Sequence, residues 1–159
     1  MRKQPNYQLP KKAKIVWRLY GIIQTIILAI VTAGIIFLTK KFDWPEWIMW
    51  VSVGIVILSV ICSIVIFPSV RWQIWRYEVR EQEIEIQSGL FVVTRTLIPM
   101  VRVQHVDTEQ GPILKKYNVA NISISSAATV HTIPMLELEE ADMLRMKISE
   151  LARVAEEDV

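Results

Sequence analysis

A run near the N-terminus of this 159-residue chain reads Ile22-Ile23-Gln24-Thr25-Ile26-Ile27-Leu28-Ala29-Ile30-Val31, and its apolar side chains would cover every face of a helix. The run lies within residues 19–39, which contain no Asp, Glu, Lys or Arg. At ~1.5 Å per residue these positions would span about 31 Å, the thickness of the hydrocarbon core of a bilayer. We therefore predict a first transmembrane helix over residues 19–39.

A second uncharged stretch begins at Trp47 and continues to Val70. Pro68 has no backbone N–H and disfavours helical structure in the residue before it, so we expect the helix to stop there. This predicts a second transmembrane helix over residues 47–67 and an extracellular loop over residues 40–46. The alternative is a cleaved signal peptide, but the first run is longer than the apolar core of such peptides and ends at Lys40-Lys41 without a small-residue cleavage pattern.

The tryptophans and the charges support this assignment. Aromatic belts lie at membrane–water interfaces, and all six tryptophans lie near the ends of the two runs: Trp17, Trp44, Trp47, Trp50, Trp72 and Trp75. Residues 1–67 carry 8 basic and 2 acidic side chains, and most of the basic ones precede the first run. The positive-inside rule then predicts a multi-pass plasma-membrane protein with both termini in the cytoplasm and a basic cytoplasmic N-terminus over residues 1–18.

Polar residues inside the predicted spans carry no charge, so the sequence does not indicate an ion pathway. Ser52, Ser59 and Ser63 share one face of the second helix, where small side chains allow close approach of another helix. Ordinary packing between the two spans explains this face as well. The single cysteine, Cys62, excludes an internal disulfide and a cysteine-rich metal site, and we expect it to be an inert small residue.

After Pro68 the apolar residues alternate with polar ones, as in half-buried strands. Trp75, Tyr77 and Val79 would face one side of a first strand, and Ile84 and Ile86 would do the same in a second, with Glu83, Glu85 and Gln87 on the opposite side. A third strand is predicted over residues 91–98.

Further along, the alternation shifts near Gln104 and His105, which indicates a bulge. One helical turn is expected over residues 113–117, and strands follow over residues 122–126 and 129–133. From Leu138 onward, apolar residues recur at intervals of three and four, which predicts an amphipathic C-terminal helix.

After the second predicted span, the segment most characteristic of a known family is Ile98-Pro99-Met100-Val101-Arg102-Val103-Gln104-His105-Val106. Together with Gly111-Pro112-Ile113-Leu114 and the strand after it, this segment resembles the bacterial pleckstrin-homology-like (PH-like) domain. With two spans in front, the whole chain resembles small membrane proteins of the YdbS type. The resemblance implies two nearly orthogonal antiparallel sheets capped by a C-terminal helix.

The predicted fold class is therefore a membrane helical hairpin followed by a small α+β PH-like domain over residues 68–159, in the cytoplasm. The resemblance implies no catalytic activity, and it implies a partner: a larger membrane protein with several PH-like domains. We expect a noncatalytic scaffold or subunit that acts in envelope stress protection or antimicrobial-peptide tolerance. Arg102, Gln104 and His105 form the predicted interaction surface, and a homo-oligomer is compatible with it.

An alternative is a module that binds anionic membrane lipids. The predicted contacts are Lys115 and Lys116, with Arg102 and Arg95 nearby in the presumed sheet, and the basic residues next to the first span: Lys11, Lys12, Lys14 and Arg18. Where phosphoinositide-binding PH domains have basic residues in the first hairpin, this chain has Arg80-Glu81-Gln82-Glu83. That departure argues against inositol-phosphate binding.

A third alternative is a membrane-bound hydrolase that would use Ser123, Ser125 or Ser126 with His105 or His131, although no nucleophile-elbow motif is present. His105, Asp107 and Glu109 alternate and would share a strand face, which raises a metal site as a hypothesis. A solvated strand face explains them better, so we expect no metal and no cofactor. Nucleic-acid binding is not expected because residues 68–159 carry 10 basic and 14 acidic side chains.

Overall fold

A computed structural model of the protein describes residues 4–127 and 129–157. The chain forms two compact units. The helical unit covers Trp17–Val70, and the second unit, here called the domain, joins the N-terminal residues through Val16 to the residues from Arg71 onward. The helical segments of the first unit are therefore inserted into the sequence of the domain.

Two long helical stretches account for the predicted spans. The first is α1, Lys11–Lys41, and the second runs without a break through α2, Trp47–Val60, a π-helical segment, Ile61–Ile66, and α3, Phe67–Ile74. Both are long and apolar enough to cross a membrane. Each helix extends beyond the stretch predicted as a span, because the basic turn before the first run and the polar residues after the second are also helical.

The expectation that Pro68 ends the second helix is wrong. Helical structure continues for six residues beyond it, to Ile74. The π-helical segment lies directly before the proline, and the N–H of Phe67 bonds to the carbonyl of Cys62, five residues earlier. Because this wider turn alters the carbonyl ladder at the proline ring, the helix can continue past it.

Small and hydroxyl side chains are buried within the helical unit. Gly21, Thr25, Thr32 and Thr39 are buried along one side of α1, and Ser52 is buried in α2. A Cβ atom added at Gly21 would collide with the backbone carbonyl of Ser63, so the two helices pack closely there. The face that carries Ser52 and Ser63 therefore packs within the helical pair.

The domain consists of two antiparallel sheets and a C-terminal helix. The first sheet has the order β1, Tyr7–Gln8, β2, Arg76–Val79, β3, Glu83–Gly89, and β4, Val93–Pro99. A short 3-10 helix, Met100–Arg102, leads to the second sheet, with the order β5, Val103–Glu109, β6, Val119–Ser126, and β7, Val130–Glu137. Helix α4, Pro112–Lys116, connects β5 to β6, and α5, Leu138–Glu157, follows β7. This architecture confirms the predicted PH-like fold.

The core of the domain follows the predicted alternation. Tyr77, Ile84 and Ile86 are buried in the first sheet, and Ala141 and Ile148 on α5 are fully buried. The pairing of β5 with β6 shifts register between Val103 and His105, as the break in alternation predicted.

The opposite side of β3 is less solvated than the alternation suggests. Glu85 and Gln87 are only 3% and 5% exposed. Arg80 donates to the Glu85 carboxylate at 3.1 Å, while Gln87 donates to the carbonyl of Ile74 at 3.2 Å. These partners satisfy polar groups that would otherwise be costly to bury.

The N-terminal strand β1 was missed by the sequence analysis. Tyr7 pairs with Tyr77 and Gln8 pairs with Arg76, in antiparallel register. The Trp72 indole N–H donates to the carbonyl of Leu9 at 2.9 Å, and the Gln8 amide donates to the carbonyl of Trp72 at 3.1 Å. The chain thus enters and leaves the helical unit from two neighbouring strands of one sheet.

Candidate functional site

The first sheet has two distinguishable ends. Gln8, Arg76, Gln87 and Arg95 form one row across the four strands. The chain continues from Gln8 into α1 and reaches Arg76 directly after α3, so this row marks the helix-side end of the domain. The opposite end, with the turn between β2 and β3, is the far end.

Basic residues collect at the helix-side end. The ammonium group of Lys12 lies 3.1 Å from the Glu137 carboxylate, and Glu137 pairs with Val119 across the second sheet. Helix α4, which carries the exposed Lys115 and Lys116, ends just before that pair. Lys11 and Lys14 lie on the same first turns of α1 as Lys12, whereas Arg18 belongs to the helical unit.

Arg102, Gln104 and His105 lie at the far end and are all exposed. They stand at the start of β5, where His105 pairs with Ser125, whereas α4 follows the end of that strand. Seven strand residues extend over about 24 Å. The structure therefore does not bring Arg102 together with Lys115 and Lys116, and Arg95 belongs to the other sheet, where it donates to Gln87 at 3.0 Å.

Within the part of the chain that the structure describes, strand β5 pairs with β6 alone and forms an edge of the second sheet. A groove of about 450 Å³ lies between this edge and α5, lined by Val106, Arg145, Met146, Ser149, Glu150 and Arg153. A second groove of about 440 Å³ continues near the 3-10 helix, with Val101, Leu151 and Val154 in its lining. The far end of the domain thus combines unpaired strand backbone with apolar and charged side chains.

Sequence reasoning missed Met146 and Val154 as parts of this surface. Met146 is 59% exposed and Val154 is 46% exposed. Both are apolar but lie outside the three-and-four periodicity that defines the buried side of α5. Apolar residues in the polar positions of an amphipathic helix were the available signal.

The metal site and the serine–histidine pairs considered from the sequence can be compared with the geometry. His105, Asp107 and Glu109 are exposed along β5, and the described residues contain no group of three His, Cys, Asp or Glu side chains that could hold a metal ion. His131 lies 3.0 Å from the Thr129 hydroxyl, and the register places His105 opposite Ser125.

A small cavity of about 180 Å³ lies beside β1, lined in part by Tyr7, Tyr77, Glu140 and Met143. The rings of Tyr7 and Tyr77 stack with their centroids 5.8 Å apart, and the Tyr77 hydroxyl donates to the Glu140 carboxylate at 2.5 Å. Burial and this acidic partner raise the pKa of Tyr77 above its ordinary value. The cavity therefore holds a phenol that stays protonated at neutral pH.

Arg80 organises a cluster of carboxylates at the far end of the first sheet. Its guanidinium contacts Glu78 at 2.8 Å, Glu83 at 2.9 Å and Glu85 at 3.1 Å. The hydrogen bond from Arg80 lowers the pKa of Glu78. Because Arg80 contacts these three carboxylates, its charge is balanced within the domain. This agrees with the absence of a basic, phosphoinositide-binding type of first hairpin in the sequence.

Comparisons with known proteins agree with this architecture. The family profile described as "Bacterial PH domain" matches residues 22–152. The chain is 54% identical over all 159 residues to the UPF0699 transmembrane protein YdbS of Bacillus subtilis (strain 168), which it covers completely. It is 21% identical over 130 residues to the UPF0699 transmembrane protein YdbT of the same strain, a match of 79% of this chain but only 26% of YdbT. No solved structure matches. The chain is a membrane protein that belongs to the bacterial PH domain family and, within it, to the UPF0699 transmembrane proteins.

Proposed function

We propose that this protein is a noncatalytic subunit of a plasma-membrane complex, in which the far end of its PH domain binds a larger membrane protein with several such domains. The observation that carries the proposal is the outer edge of β5 beside the groove of α5, an edge that has no strand partner among the described residues. An exposed strand edge is a template for pairing with another chain, and natural proteins usually protect such edges when they have no partner.

The groove suits an extended segment of a partner. Such a segment would add as a strand to β5, with main-chain hydrogen bonds for affinity and side-chain pockets for specificity. Val106 and Met146 offer apolar contacts, while Arg145, Glu150 and Arg153 offer charged contacts of both signs. Arg102, Gln104 and His105 would contact the same segment at the start of the strand.

The similarity to YdbT supports the choice of partner. The match covers about a quarter of that longer protein, so YdbT contains a region similar to this chain and much additional sequence. A longer relative of that kind in the same membrane would present related surfaces. A second copy of this chain is the competing partner.

The proposed orientation places both termini and the domain in the cytoplasm. Strand pairing between β1 and β2 supports this, because it keeps the start of α1 and the end of α3 on the same side of any membrane that the helices cross. The basic residues before α1 favour the cytoplasmic side. An Asp43→Cys variant tests the orientation: a membrane-impermeant maleimide should label it in intact cells, and labelling only after lysis would contradict it.

The partner surface is testable by photo-crosslinking in the native membrane. A photoreactive amino acid at Gln104 should give a discrete adduct with the larger membrane protein, identified by mass spectrometry. The same amino acid at Glu139, an exposed position on the first turn of α5, serves as the matched control. An equal adduct from both positions, or none from Gln104, would refute the assignment of this surface.

The proposed physiological role is protection of the cell envelope, including tolerance of antimicrobial peptides. This role rests on a membrane location and on a domain with an assembly surface at its far end. A deletion strain should become more sensitive to membrane-active peptides. Unchanged sensitivity to peptides and to envelope stress would exclude the role.

Binding of anionic lipid is the second candidate, favoured by the lysines at the helix-side end. Lys115 and Lys116 are exposed there, close in the fold to the first turns of α1. Native mass spectrometry of the protein released from mixed-lipid nanodiscs should show retained anionic lipid that Lys115→Glu with Lys116→Glu removes. A hydrolase would instead require that Ser125→Ala abolish a measurable turnover, because Ser125 is the serine paired with His105.

A further inference from the structure

The hairpin between β3 and β4 carries Phe91 and Val92, the two most exposed large apolar side chains among the described residues of the domain. Phe91 is 88% exposed, Val92 is 75% exposed and Val93 is 51% exposed. The turn is built to present them: Gly89 has a φ of 143°, and a Cβ atom there would collide with the carbonyl of Val92. A turn that displays a phenylalanine and a valine to solvent exposes an apolar patch, which is typical of a surface that something covers.

The strand register places this tip at the helix-side end of the domain. Arg76 pairs with Gln87, and Gln87 pairs with Arg95. Strand β3 continues beyond that row through Ser88 and Gly89 before the tip, in the direction from which the chain arrives at Arg76. Two strand residues add about 7 Å, so the tip of Leu90, Phe91 and Val92 extends past the row on the side of α3.

Hydrogen bonds within the domain fix the end of α3 against the same end of the sheet. Gln87 donates to the carbonyl of Ile74, and Trp72 donates to the carbonyl of Leu9. The residues that lead to both transmembrane helices and the apolar tip therefore leave the sheet at one end. A bilayer that the chain enters at this end of the sheet is therefore the candidate apolar phase for the tip.

The charges around this end favour the same occupant. Lys11, Lys14, Lys115 and Lys116 lie at the helix-side end, and no acidic residue occurs between Ser88 and Arg102. Basic residues at the same end of a domain as an apolar, aromatic tip are a combination that binds the interface of an anionic membrane. A protein partner would not require both features at the end where the chain enters the membrane.

We propose that Leu90, Phe91 and Val92 insert into the headgroup region of the leaflet next to the domain. The tip then acts as a third membrane contact beside the two helices. A lipid contact made by the domain itself restricts its tilt relative to the membrane. The groove at the far end would thereby be held away from the lipid surface, whether or not a partner binds there.

The experiment uses the full chain with Cys62→Ala, in vesicles that contain anionic lipid. An environment-sensitive fluorophore is attached at Val92→Cys, with Phe91 retained, or at Glu81→Cys in the turn at the far end of the same sheet. Lipids brominated near the headgroup should quench most of the emission from position 92 and leave position 81 unchanged. Adding Phe91→Asp should reduce the quenching at position 92 to the level of position 81.

Three results would overturn the proposal. Equal quenching at positions 92 and 81 would mean that the tip remains in water. Blue-shifted emission without quenching by brominated lipid would mean that protein covers the tip, and a dependence on the protein-to-lipid ratio would identify a second copy. Quenching unaffected by Phe91→Asp would show that the side chain does not insert. Because Phe91 is exposed, its replacement should leave the circular dichroism spectrum unchanged, and this serves as the folding control.

Discussion

The helical unit and the domain arrange similar residues in opposite ways. In α1, Ile26, Ile27 and Ile30 are exposed by 54% to 67%, while Thr25 and Thr32 are buried. In the domain, isoleucines such as Ile84, Ile122 and Ile133 are fully buried. The same side chain is placed outward in one unit and inward in the other because the two units fold in different solvents: lipid solvates apolar side chains, and water does not.

This contrast teaches that each unit has a different source of stability. The domain is stabilised mainly by burial of apolar surface from water. The helical pair gains nothing from hiding isoleucine from lipid, so its association depends on close contact at small residues such as Gly21. Substitutions that are severe in one unit should therefore be mild in the other.

The largest expected effect is a core truncation in the domain. Ile122→Ala should lower the free energy of unfolding of the domain by about 2–5 kcal/mol, because it leaves a cavity at a fully buried position. Ile27→Ala in α1 is the control, since that side chain is 59% exposed. The free energy of unfolding of both variants is measured by urea titration of the full chain in detergent, with hydrogen exchange of the β6 amides as the readout. Equal losses of free energy in the two variants would contradict the difference between the two units.

The next largest effect is expected in the helical unit, at a position where a small residue allows close packing. Gly21→Leu should destabilise the helical pair by about 1–3 kcal/mol, because the new side chain collides with the Ser63 backbone. Gly34→Leu in the same helix should have little effect, since nothing lies within 4 Å of a Cβ atom there. Thermal unfolding in detergent, monitored by helical circular dichroism, distinguishes them. A loss in the Gly34 variant as large as in the Gly21 variant would argue against close packing at Gly21.

A smaller effect concerns the attachment of the N-terminal strand to the domain. Trp72→Phe keeps an aromatic ring but removes the N–H that bonds to the carbonyl of Leu9, which should cost about 0.5–1.5 kcal/mol. Faster hydrogen exchange in β1 and at the start of β2 is the expected signature. Trp50→Phe, exposed in α2, is the matched control and should leave exchange in these strands unchanged.

Alkaline pH should weaken the domain through Tyr77. Its folded-state pKa is raised above the ordinary value of 10.0 by burial and by Glu140, so the stabilisation is complete below about pH 10 and is lost as the pH rises further. Tyr77→Phe should remove this part of the alkaline loss, and Tyr117→Phe should not. Thermal melts between neutral and alkaline pH provide the measurement, and identical pH profiles for the two variants would contradict it.

The smallest effect is expected at acid pH, at the surface of the first sheet. The pKa of Glu78 is lowered by its hydrogen bond with Arg80, so this contribution is present above the ordinary value of 4.5 and is lost as the pH falls through the lowered pKa. Glu78→Gln should flatten the acid limb of the stability profile slightly. Glu81→Gln, in the neighbouring turn, is the control. If both variants changed the acid limb equally, the hydrogen bond between Glu78 and Arg80 would not be the cause.

Much of the fold could be predicted from the sequence because its signals are local. The lack of charged residues over 19–39 identified the first span, and the alternation around Ile84 and the periodicity after Leu138 identified strands and the closing helix. Strand β1 could not be predicted, since two residues, Tyr7 and Gln8, are too short to show a period. The continuation of the helix past Pro68 depends on a π-helical segment that carries no sequence signal.

The candidate surface was only partly predictable for a related reason. Arg102, Gln104 and His105 were identified from one segment of the chain, and the structure places them on an edge strand. Their proximity to Met146 and Val154 results from the packing of α5 beside β5, a contact between residues far apart in sequence. Buried Glu85 could not be predicted either, because its position depends on Arg80 as a partner.

The central claim, that the groove beside β5 binds a larger membrane protein with several PH domains, has a direct test in copurification from the native membrane. The tagged full chain is purified in mild detergent as wild type, as Met146→Glu in the groove and as Met143→Glu outside it, two methionines of α5 with similar exposure of 59% and 62%. We predict that the wild type and the Met143 variant retain that protein at a fixed ratio, and that the Met146 variant loses it. Retention by all three, or by none, would contradict the claim.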